Sequence, residues 1–319
     1  MTAVPAAPKM LALTGPTASG KSALALALAR RLGGTILSAD SMQVYQRLDI
    51  GTAKPSAAER ARIPHELIDL VPVTAKFTPA DYVTAAGEAF RRCAAARRTP
   101  VLCGGTGQYV EALLTGEDYA GLPYDPGLRG QLHAIWQEEG LEPLVRHLEE
   151  LDPGRAQSVD RLNPRRVIRA LEIALAGEGG AARPQPNRLA RPAVLVILDP
   201  TRPWLEDRIR ARIDLMFAAG LADEARWLLE QNLPEDATCM QAIGYKELFP
   251  WLRGFESEAE ARERLVIATR RYARRQRTWF RRYERIQGLE ILHLTEPGPD
   301  SVERILAFYG MDKSATTEV

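Results

Sequence analysis

The stretch LTGPTASGKSALALALA, residues 13–29, has the form of a phosphate-binding loop that runs into a helix. Gly15, Gly20, Lys21 and Ser22 satisfy the pattern G-x-x-x-x-G-K-[ST], and an apolar run at 10–13 precedes them, as a strand before such a loop would. Backbone N–H groups of this kind of loop point inward at the positive end of the helix dipole and favour an oligophosphate. The pattern predicts a phosphate site without telling whether the phosphate belongs to a nucleotide.

The loop pattern also predicts a role for individual side chains. We expect Lys21 to lie between two phosphates and the Ser22 hydroxyl to bind a magnesium ion, so that Mg²⁺ is the expected cofactor. A glycine turn without a ligand is the alternative, and the strand before and helix after the loop count against it. The predicted phosphate-binding residues are Gly15, Pro16, Thr17, Ala18, Ser19, Gly20, Lys21 and Ser22.

The composition of the 319 residues is that of an ordinary globular protein, with 45% hydrophobic and 26% charged residues. Its three cysteines are scattered and lack C-x-x-C spacing, which argues against a disulfide framework or a zinc site and suits the reducing cytosol. We therefore expect a cytoplasmic protein. The stretch MTAVPAAPKM (1–10) has no long apolar core and the sequence has no 18-residue apolar run, so we expect neither a signal peptide nor a membrane span. The net charge of +1 gives no indication about nucleic acid.

Short apolar runs alternate with helical patterns over the first 120 residues, which predicts a parallel α/β sheet. The fold class is a P-loop NTPase-like parallel sheet flanked by helices. Strands are expected at 10–13, within GTILSAD (34–40), at the start of PVLCGGTGQYVEALLTG (100–116) and within PAVLVILD (192–199). Beyond residue 199 we expect helix nearly to the end, with a disordered tail at 311–319.

Residues 123–190 differ in character from the sequence on either side. Their pattern is helical without a convincing strand, and both borders are rich in proline and glycine. We therefore expect a catalytic core formed by residues 1–122 and 191–319, interrupted by a helical insertion domain at 123–190.

Two further residues are expected beside the phosphate loop, because ligands of open α/β sheets collect at the carboxyl ends of strands. Asp40, in SADSMQVYQRLDIGTAKP (38–55), could be a general base, could bind magnesium through water, or could only cap the next helix. Thr106, in GGTGQY, follows a strand and two glycines that allow close approach to a ligand, although any such turn needs glycines.

The stretch ATRRYARRQRTWFRRYER, residues 268–285, holds eight arginines and one acid. On a helix, Tyr272, Gln276, Trp279 and Tyr283 form a stripe that we expect to pack against the core. A solvated charged face usually mixes signs, so we expect this arginine face to pair with phosphate of RNA or DNA. The alternative is that some of its arginines pack against acids of the insertion or the core. A second basic helix is predicted in NPRRVIRALEIAL (163–175). Two basic helices beside a phosphate cleft indicate an enzyme that modifies nucleic acid.

These motifs resemble those of the bacterial tRNA dimethylallyltransferases, also called tRNA isopentenyltransferases, over roughly residues 11–285. The resemblance implies transfer of a dimethylallyl group from dimethylallyl diphosphate to N6 of adenosine 37, in the anticodon stem-loop of tRNA, with release of diphosphate. The phosphate loop, which is of a nucleotide-binding, ATP-binding type, would then hold the diphosphate of the allylic substrate. The stretches that carry the resemblance, in chain order, are GPTASGKS, SADSMQVYQRLDIGTAKP, PHELIDL, GGTGQYVEALL, NPRRVIRALEI, QAIGYKEL and TRRYARRQRTWFRR.

The resemblance also implies functional residues. Asp40 matches the family's catalytic aspartate and Thr106 its diphosphate-binding threonine, and Arg212 is preferred over Arg208 as the arginine on the diphosphate. The family commonly has glutamine where this chain has Arg165, which leaves that contact open. A monomer is expected. The tRNA-binding residues, completed by two from the arginine helix, are Asp40, Ser41, Met42, Gln43, Arg165, Arg166, Val167, Ile168, Arg169, Cys239, Met240, Gln241, Ala242, Ile243, Gly244, Tyr245, Arg274 and Arg281.

Three other functions remain open on the sequence. A small-molecule kinase would bind ATP, and Asp199 after a strand could serve as its magnesium-linked acid, but it has no need of the arginine helix. An adenylate isopentenyltransferase would share the cleft but has less use for an RNA-binding insertion. A pure RNA-binding module would not need the intact phosphate loop.

Overall fold

The computed structural model describes residues 9–116, 125–177 and 188–310. The chain divides into two compact units: residues 1–117 with 185–319, called here the core unit, and residues 118–184, called the helical unit. The predicted border at residue 122 and the predicted disordered tail lie outside the described residues, and the predicted border at residue 190 lies just inside them.

The core unit contains a six-stranded sheet in the order β3-β2-β4-β1-β5-β6, with all of the strands parallel. The central strands β1 and β5 are buried along their whole length, as the apolar runs predict for a sheet covered on both faces. The strands are β1 (Met10–Thr14), β2 (Thr35–Ser38), β3 (His65–Glu66), β4 (Pro100–Cys103), β5 (Ala193–Leu198) and β6 (Glu290–Leu294).

The prediction of a parallel sheet is confirmed, and so are its four predicted strands. The expectation of helix nearly to the end after Asp199 is wrong at β6, which pairs in parallel with β5 from Val194 to Leu198. This strand lies at the edge of the sheet and most of its residues are partly exposed. Its short mixed sequence therefore lacks the continuous apolar run by which the inner strands were found.

Thirteen helices accompany the sheet in the described parts of the chain. Among them, no helix is long and apolar enough to cross a membrane. The helices are α1 (Lys21–Arg31), α2 (Ala57–Arg62), α3 (Pro79–Ala95), α4 (Gly107–Thr115), α5 (Pro126–Glu139), α6 (Glu142–Leu151), α7 (Pro153–Ser158), α8 (Pro164–Leu175), α9 (Arg202–Ala218), α10 (Leu221–Glu230), α11 (Phe249–Leu252), α12 (Glu258–Phe280) and α13 (Ser301–Tyr309).

The helical unit is formed by α5, α6, α7 and α8, and its residues 125–177 contain no strand. Each of these helices has proline in its first turn, where the missing N–H costs nothing. Its apolar core includes Leu132, Leu148 and Leu171. Glu172 is also buried, and its carboxylate pairs with Arg129 and with Arg169, which compensates for removing the charge from water.

Candidate active site

The phosphate loop, Gly15–Ser22, connects β1 to the first turn of α1. Ala18 and Gly20 have φ of 64° and 87°, and this left-handed backbone curls the loop over the start of the helix. A Cβ atom at Gly15 would lie 2.7 Å from the carbonyl oxygen of Leu198, so only glycine fits there. Lys21 Nζ donates to the carbonyl of Pro16 at 3.2 Å. The structure thus has the strand–loop–helix arrangement on which the phosphate prediction depends.

Asp40 and Thr106 lie on two turns that are bound together at the carboxyl ends of β2 and β4. Thr106 N–H donates to the carbonyl of Ala39 at 3.0 Å, and Thr106 Oγ1 accepts the N–H of Ser41 at 3.0 Å. A Cβ atom at Gly104 would lie 2.1 Å from the Ala39 carbonyl oxygen, so glycine is needed for the two turns to approach. The hydrogen bonds of Thr106 with Ala39 and Ser41 thus explain why Asp40 and Thr106 lie close together, as predicted.

Asp40 ends its strand in a turn rather than at a helix. Its Oδ1 accepts the N–H of Met42 at 2.9 Å, so only one of the two carboxylate oxygens stabilises the turn. No hydrogen bond from the described residues reaches Oδ2, and Asp40 lines a cavity. The carboxylate can therefore hold the turn and still accept a proton from a ligand.

The cavity has a volume of about 280 Å³, and its lining includes two chemically different kinds of residue. The polar lining includes Thr17, Asp40, Arg212 and Tyr272, and the apolar lining includes Ile209, Ile213, Met216 and Leu265. A cavity lined by charged and apolar side chains suits a small ligand with a charged head and a hydrocarbon tail.

Two partly buried cationic side chains lie near Asp40: Arg212, which lines the cavity, and Lys21, at the start of α1. Burial lowers the pKa of Lys21, and Arg212 lowers it further, while Cys103 and Asp40 act in the opposite direction. Burial also lowers the pKa of Arg212. Two cations that lose hydration near each other are stabilised by an anion, which is consistent with the predicted phosphate site. Burial raises the pKa of Cys103 to about 11, so this thiol stays protonated and is unsuited to nucleophilic attack.

Arg208 and Arg212 approach the phosphate loop differently. Arg208 Nε donates to the carbonyl of Ala18 at 3.3 Å, and its guanidinium lies over the ring of Trp204. Arg212, one helical turn further along α9, lines the cavity with Thr17 and Asp40. The geometry therefore favours Arg212 as the residue that can contact a bound diphosphate.

The loop Asp49–Pro55 is held by residues that the sequence did not single out. The Glu224 carboxylate accepts the N–H groups of Asp49, Ile50 and Gly51 at 2.8–2.9 Å. Lys54, which is almost fully buried, pairs with Asp69 at 2.6 Å and with Asp49 at 2.8 Å. Gly51 and Thr52 line the cavity. The loop is thus held in a fixed position beside the cavity. Glu224 is a single acidic residue on α10 and belongs to no sequence motif, so the sequence could not predict that it binds this loop.

The predicted RNA-binding segments Asp40–Gln43 and Cys239–Tyr245 meet at the cavity. Ser41 and Met42 line it, together with Gln241, Ala242, Ile243 and Gly244. The Gln43 amide is used inside the protein, where it accepts from Ser38 Oγ at 2.8 Å and donates to the Thr52 carbonyl at 3.1 Å. Cys239, Met240 and Tyr245 are buried. Any RNA contact in these segments must therefore come from the cavity-lining residues or from backbone groups.

The predicted RNA-binding segment of the helical unit, Arg165–Arg169, also contains both buried and exposed residues. Val167 and Ile168 are buried in that unit, so their side chains cannot meet RNA. Arg169 pairs with Glu172 at 2.9 Å. Arg165 and Arg166 are exposed at the start of α8, with Arg166 3.5 Å from Asp160. These two arginines are the members of the segment that are placed to contact phosphate.

The arginine face of α12 is only partly free of internal partners. Arg277 pairs with Asp199 at 2.6 Å, Arg282 with Glu111 at 2.9 Å, and Arg270 lies 3.7 Å from Glu206. The alternative of pairing with protein acids therefore applies to three of these arginines, because acids from distant parts of the chain fold against them. Among the described residues, no carboxylate pairs with Arg271, Arg274, Arg275 or Arg281.

The opposite stripe of α12 packs as predicted. Gln276 is buried, and Tyr272 and Trp279 are partly buried within the core unit. The helix ends at Phe280, so Tyr283 lies in the short turn after it, where it is also buried. Burial and the nearby Asp40 carboxylate raise the pKa of Tyr272, and hydrogen bonds with the Thr106 and Gln276 side chains act in the opposite direction. The stripe thus brings a neutral phenol and a carboxamide to the cleft.

The parallel sheet, the phosphate loop and the polar cavity at the strand ends define an α/β enzyme of the P-loop class. Residues 43–283 match the family described as IPP transferase. A tRNA dimethylallyltransferase from Streptomyces griseus is 41% identical over 290 residues, which cover 91% of this chain and 92% of the relative. One from Streptococcus sanguinis is 45% identical over 276 residues, which cover 86% and 89%.

A solved structure shows the same likeness. The full-length tRNA isopentenylpyrophosphate transferase of Bacillus halodurans is 37% identical and superposes with a TM-score of 0.68, covering 94% of this chain and 95% of that one. The chain belongs to the IPP transferase family.

Proposed function

We propose that this protein is a tRNA dimethylallyltransferase, which moves the dimethylallyl group of dimethylallyl diphosphate to N6 of adenosine 37 in tRNA. The observation that carries the proposal is one cavity that is lined by Thr17 of the phosphate loop, by Arg212 and Asp40, and also by the apolar side chains of Ile209, Ile213 and Met216. Membership of the IPP transferase family supports the same reaction. The phosphate loop then holds an allylic diphosphate in place of ATP.

In this reaction the C–O bond between the allyl carbon and diphosphate breaks, and the electron pair leaves with diphosphate. The loop amides, Lys21 and Arg212 stabilise the negative charge that develops on the leaving group. Burial, which lowers the pKa of Lys21 in the free protein, also strengthens its attraction to a bound diphosphate. Thr106, which is hydrogen-bonded to Ser41, lies beside Asp40 and supplies a hydroxyl for the diphosphate.

The new bond forms between adenine N6 and the allyl carbon, and one N6 proton must leave as it forms. The amine is a poor nucleophile because its lone pair is delocalised into the ring, so a proton acceptor close by is required. Asp40 Oδ2 suits this role because Oδ1 alone is used by the turn. The adenine has to leave its stack to reach the cavity, as enzymes that act on bases require.

We propose Mg²⁺ as the cofactor. Among the described residues no cluster of three or more His, Cys, Asp or Glu side chains could hold a metal by itself. Mg²⁺ commonly keeps several waters and binds substrate phosphates with one or two protein oxygens. The exposed hydroxyl of Ser22, at the first turn of α1, fits such a shared site. When bound, the ion would neutralise charge on the diphosphate.

The RNA partner would be the anticodon stem-loop, and we propose that the enzyme acts on it as a monomer in the cytoplasm. Cationic side chains suited to its phosphates are Arg274 on α12, Arg281 directly after α12, and Arg165 and Arg166 on α8. The cavity residues Gln241, Ile243 and Gly244 are the members of their segment available to the base.

The experiment is an incubation with radiolabelled dimethylallyl diphosphate and an anticodon stem-loop RNA that carries adenosine at position 37. Label is expected in this RNA and absent from the same RNA with guanosine at 37. Parallel reactions replace the RNA with AMP, or the allylic diphosphate with labelled ATP. Label on AMP alone would favour an adenylate isopentenyltransferase, and phosphate transfer from ATP would favour a kinase.

A further inference from the structure

The helix α12 reaches the cleft through the side chain of Gln276, which is 5% exposed. Gln276 Oε1 accepts the backbone N–H of Thr17, in the phosphate loop, at 2.9 Å. Gln276 Nε2 donates to the backbone carbonyl of Gly105, in the turn that carries Thr106, at 2.9 Å. One carboxamide therefore bridges the two turns that form the phosphate side of the cavity.

The bridge is tightly packed as well as hydrogen-bonded. A Cβ atom at Gly105 would lie 2.1 Å from Gln276 Nε2, so the glycine makes room for the amide. One helical turn earlier on the same helix, Tyr272 lines the cavity. The position of Gln276 is thus determined from the phosphate loop, from the Gly105 turn and from its own helix.

We propose that Gln276 is a positioning residue, which sets the spacing between the phosphate loop and Thr106 and so fixes the diphosphate in line with Asp40. Glutamine is suited to this role because one planar group offers an acceptor to Thr17 and a donor to Gly105. Methionine matches its length but offers neither. The inference rests on the proposed function for the identity of the diphosphate ligand.

The direct test is Gln276→Met, compared with Gln287→Met, the same substitution at an exposed position. With Gln276→Met we expect dimethylallyl diphosphate to bind about tenfold more weakly in the absence of RNA, since the partly buried N–H of Thr17 and the buried carbonyl of Gly105 lose their partner. We expect kcat to fall by about tenfold to a hundredfold, because a small misplacement of a reactant lowers the reaction rate by such factors. Affinity for the stem-loop RNA and the activity of Gln287→Met should stay at the wild-type values.

A second variant, Gly105→Ala, disturbs the bridge from its other end. Its methyl group must displace the Gln276 amide, so it should show the same split between weaker diphosphate binding and unchanged RNA binding. Both variants break the same bridge. The double variant should therefore bind the diphosphate only slightly more weakly than the single variant with the larger loss. All measurements are made below the melting temperature of every variant.

Two results would overturn the inference while wild-type enzyme still transfers the allyl group. Wild-type kcat and diphosphate affinity in Gln276→Met, with a lowered melting temperature, would make the residue structural only. Weaker RNA binding with unchanged diphosphate binding would make it an RNA contact. Failure of the wild-type enzyme to bind the allylic diphosphate would instead contradict the proposed function. If Gln276→Met does not fold, the effect of Gly105→Ala on diphosphate affinity decides the matter alone.

Discussion

The hydroxyl of Tyr245 donates to the carboxylate of Glu224 at 2.6 Å, and the same carboxylate accepts three backbone N–H groups of Asp49–Gly51. One acid on α10 therefore joins the loop after β2 to the segment Cys239–Tyr245, and both line the cavity. A Cβ atom at Gly51 would lie 2.5 Å from the Tyr245 ring, so the glycine of this loop is required by packing.

Tyr245→Phe should lower the free energy of unfolding by about 1–3 kcal/mol, because a partly buried hydrogen bond to a charged group is lost. Glu224→Ala should cost more, since three amides lose their acceptor as well. Urea unfolding of both single variants and the double variant checks this. Strictly additive losses would contradict a shared network. RNA affinity of Tyr245→Phe should be unchanged because the side chain is buried.

Asp40→Asn should reduce turnover by about 10²- to 10⁴-fold, the usual contribution of a positioned base. The Asn side chain retains the oxygen that accepts the Met42 N–H, so the turn should persist. Single-turnover rates with saturating RNA measure the effect, and RNA affinity serves as the control. Wild-type turnover would exclude the base role, and loss of RNA affinity would indicate that Asp40 mainly supports structure.

Arg212→Gln should weaken dimethylallyl diphosphate binding more than Arg208→Gln does. The two residues lie one turn apart on α9, but Arg212 lines the cavity while Arg208 contacts the outer side of the loop at Ala18. The affinity of each variant is measured from the concentration of inorganic diphosphate that displaces bound dimethylallyl diphosphate. An equal loss in the two variants, or a larger one at Arg208, would contradict the assignment of Arg212.

Arg274→Gln combined with Arg281→Gln should weaken stem-loop RNA binding and flatten its salt dependence by about one unit of log–log slope per lost phosphate contact. The control is Arg277→Gln, which breaks the ion pair with Asp199 and should lower the melting temperature instead. RNA affinity across a salt series and thermal unfolding separate the two effects. An unaltered salt slope in the double variant would assign these arginines to the fold.

Much of the fold was predictable because its signals are local. The apolar runs of β1 and β5 and the pattern from Gly15 to Ser22 are each complete within a few residues. The ion pair of Arg277 with Asp199 and the contact of Gln276 with Thr17 join residues far apart in sequence. A helical stripe predicted that Gln276 faces inward, but its partners depend on the tertiary structure.

The central claim is tested most directly by mass spectrometry of nucleosides from stem-loop RNA that has been incubated with the enzyme and dimethylallyl diphosphate. We expect adenosine 37 to gain one dimethylallyl group in place of an N6 hydrogen, with one diphosphate released for each modified RNA. Unmodified adenosine 37 under conditions in which the protein binds both RNA and the allylic diphosphate would contradict the proposed reaction.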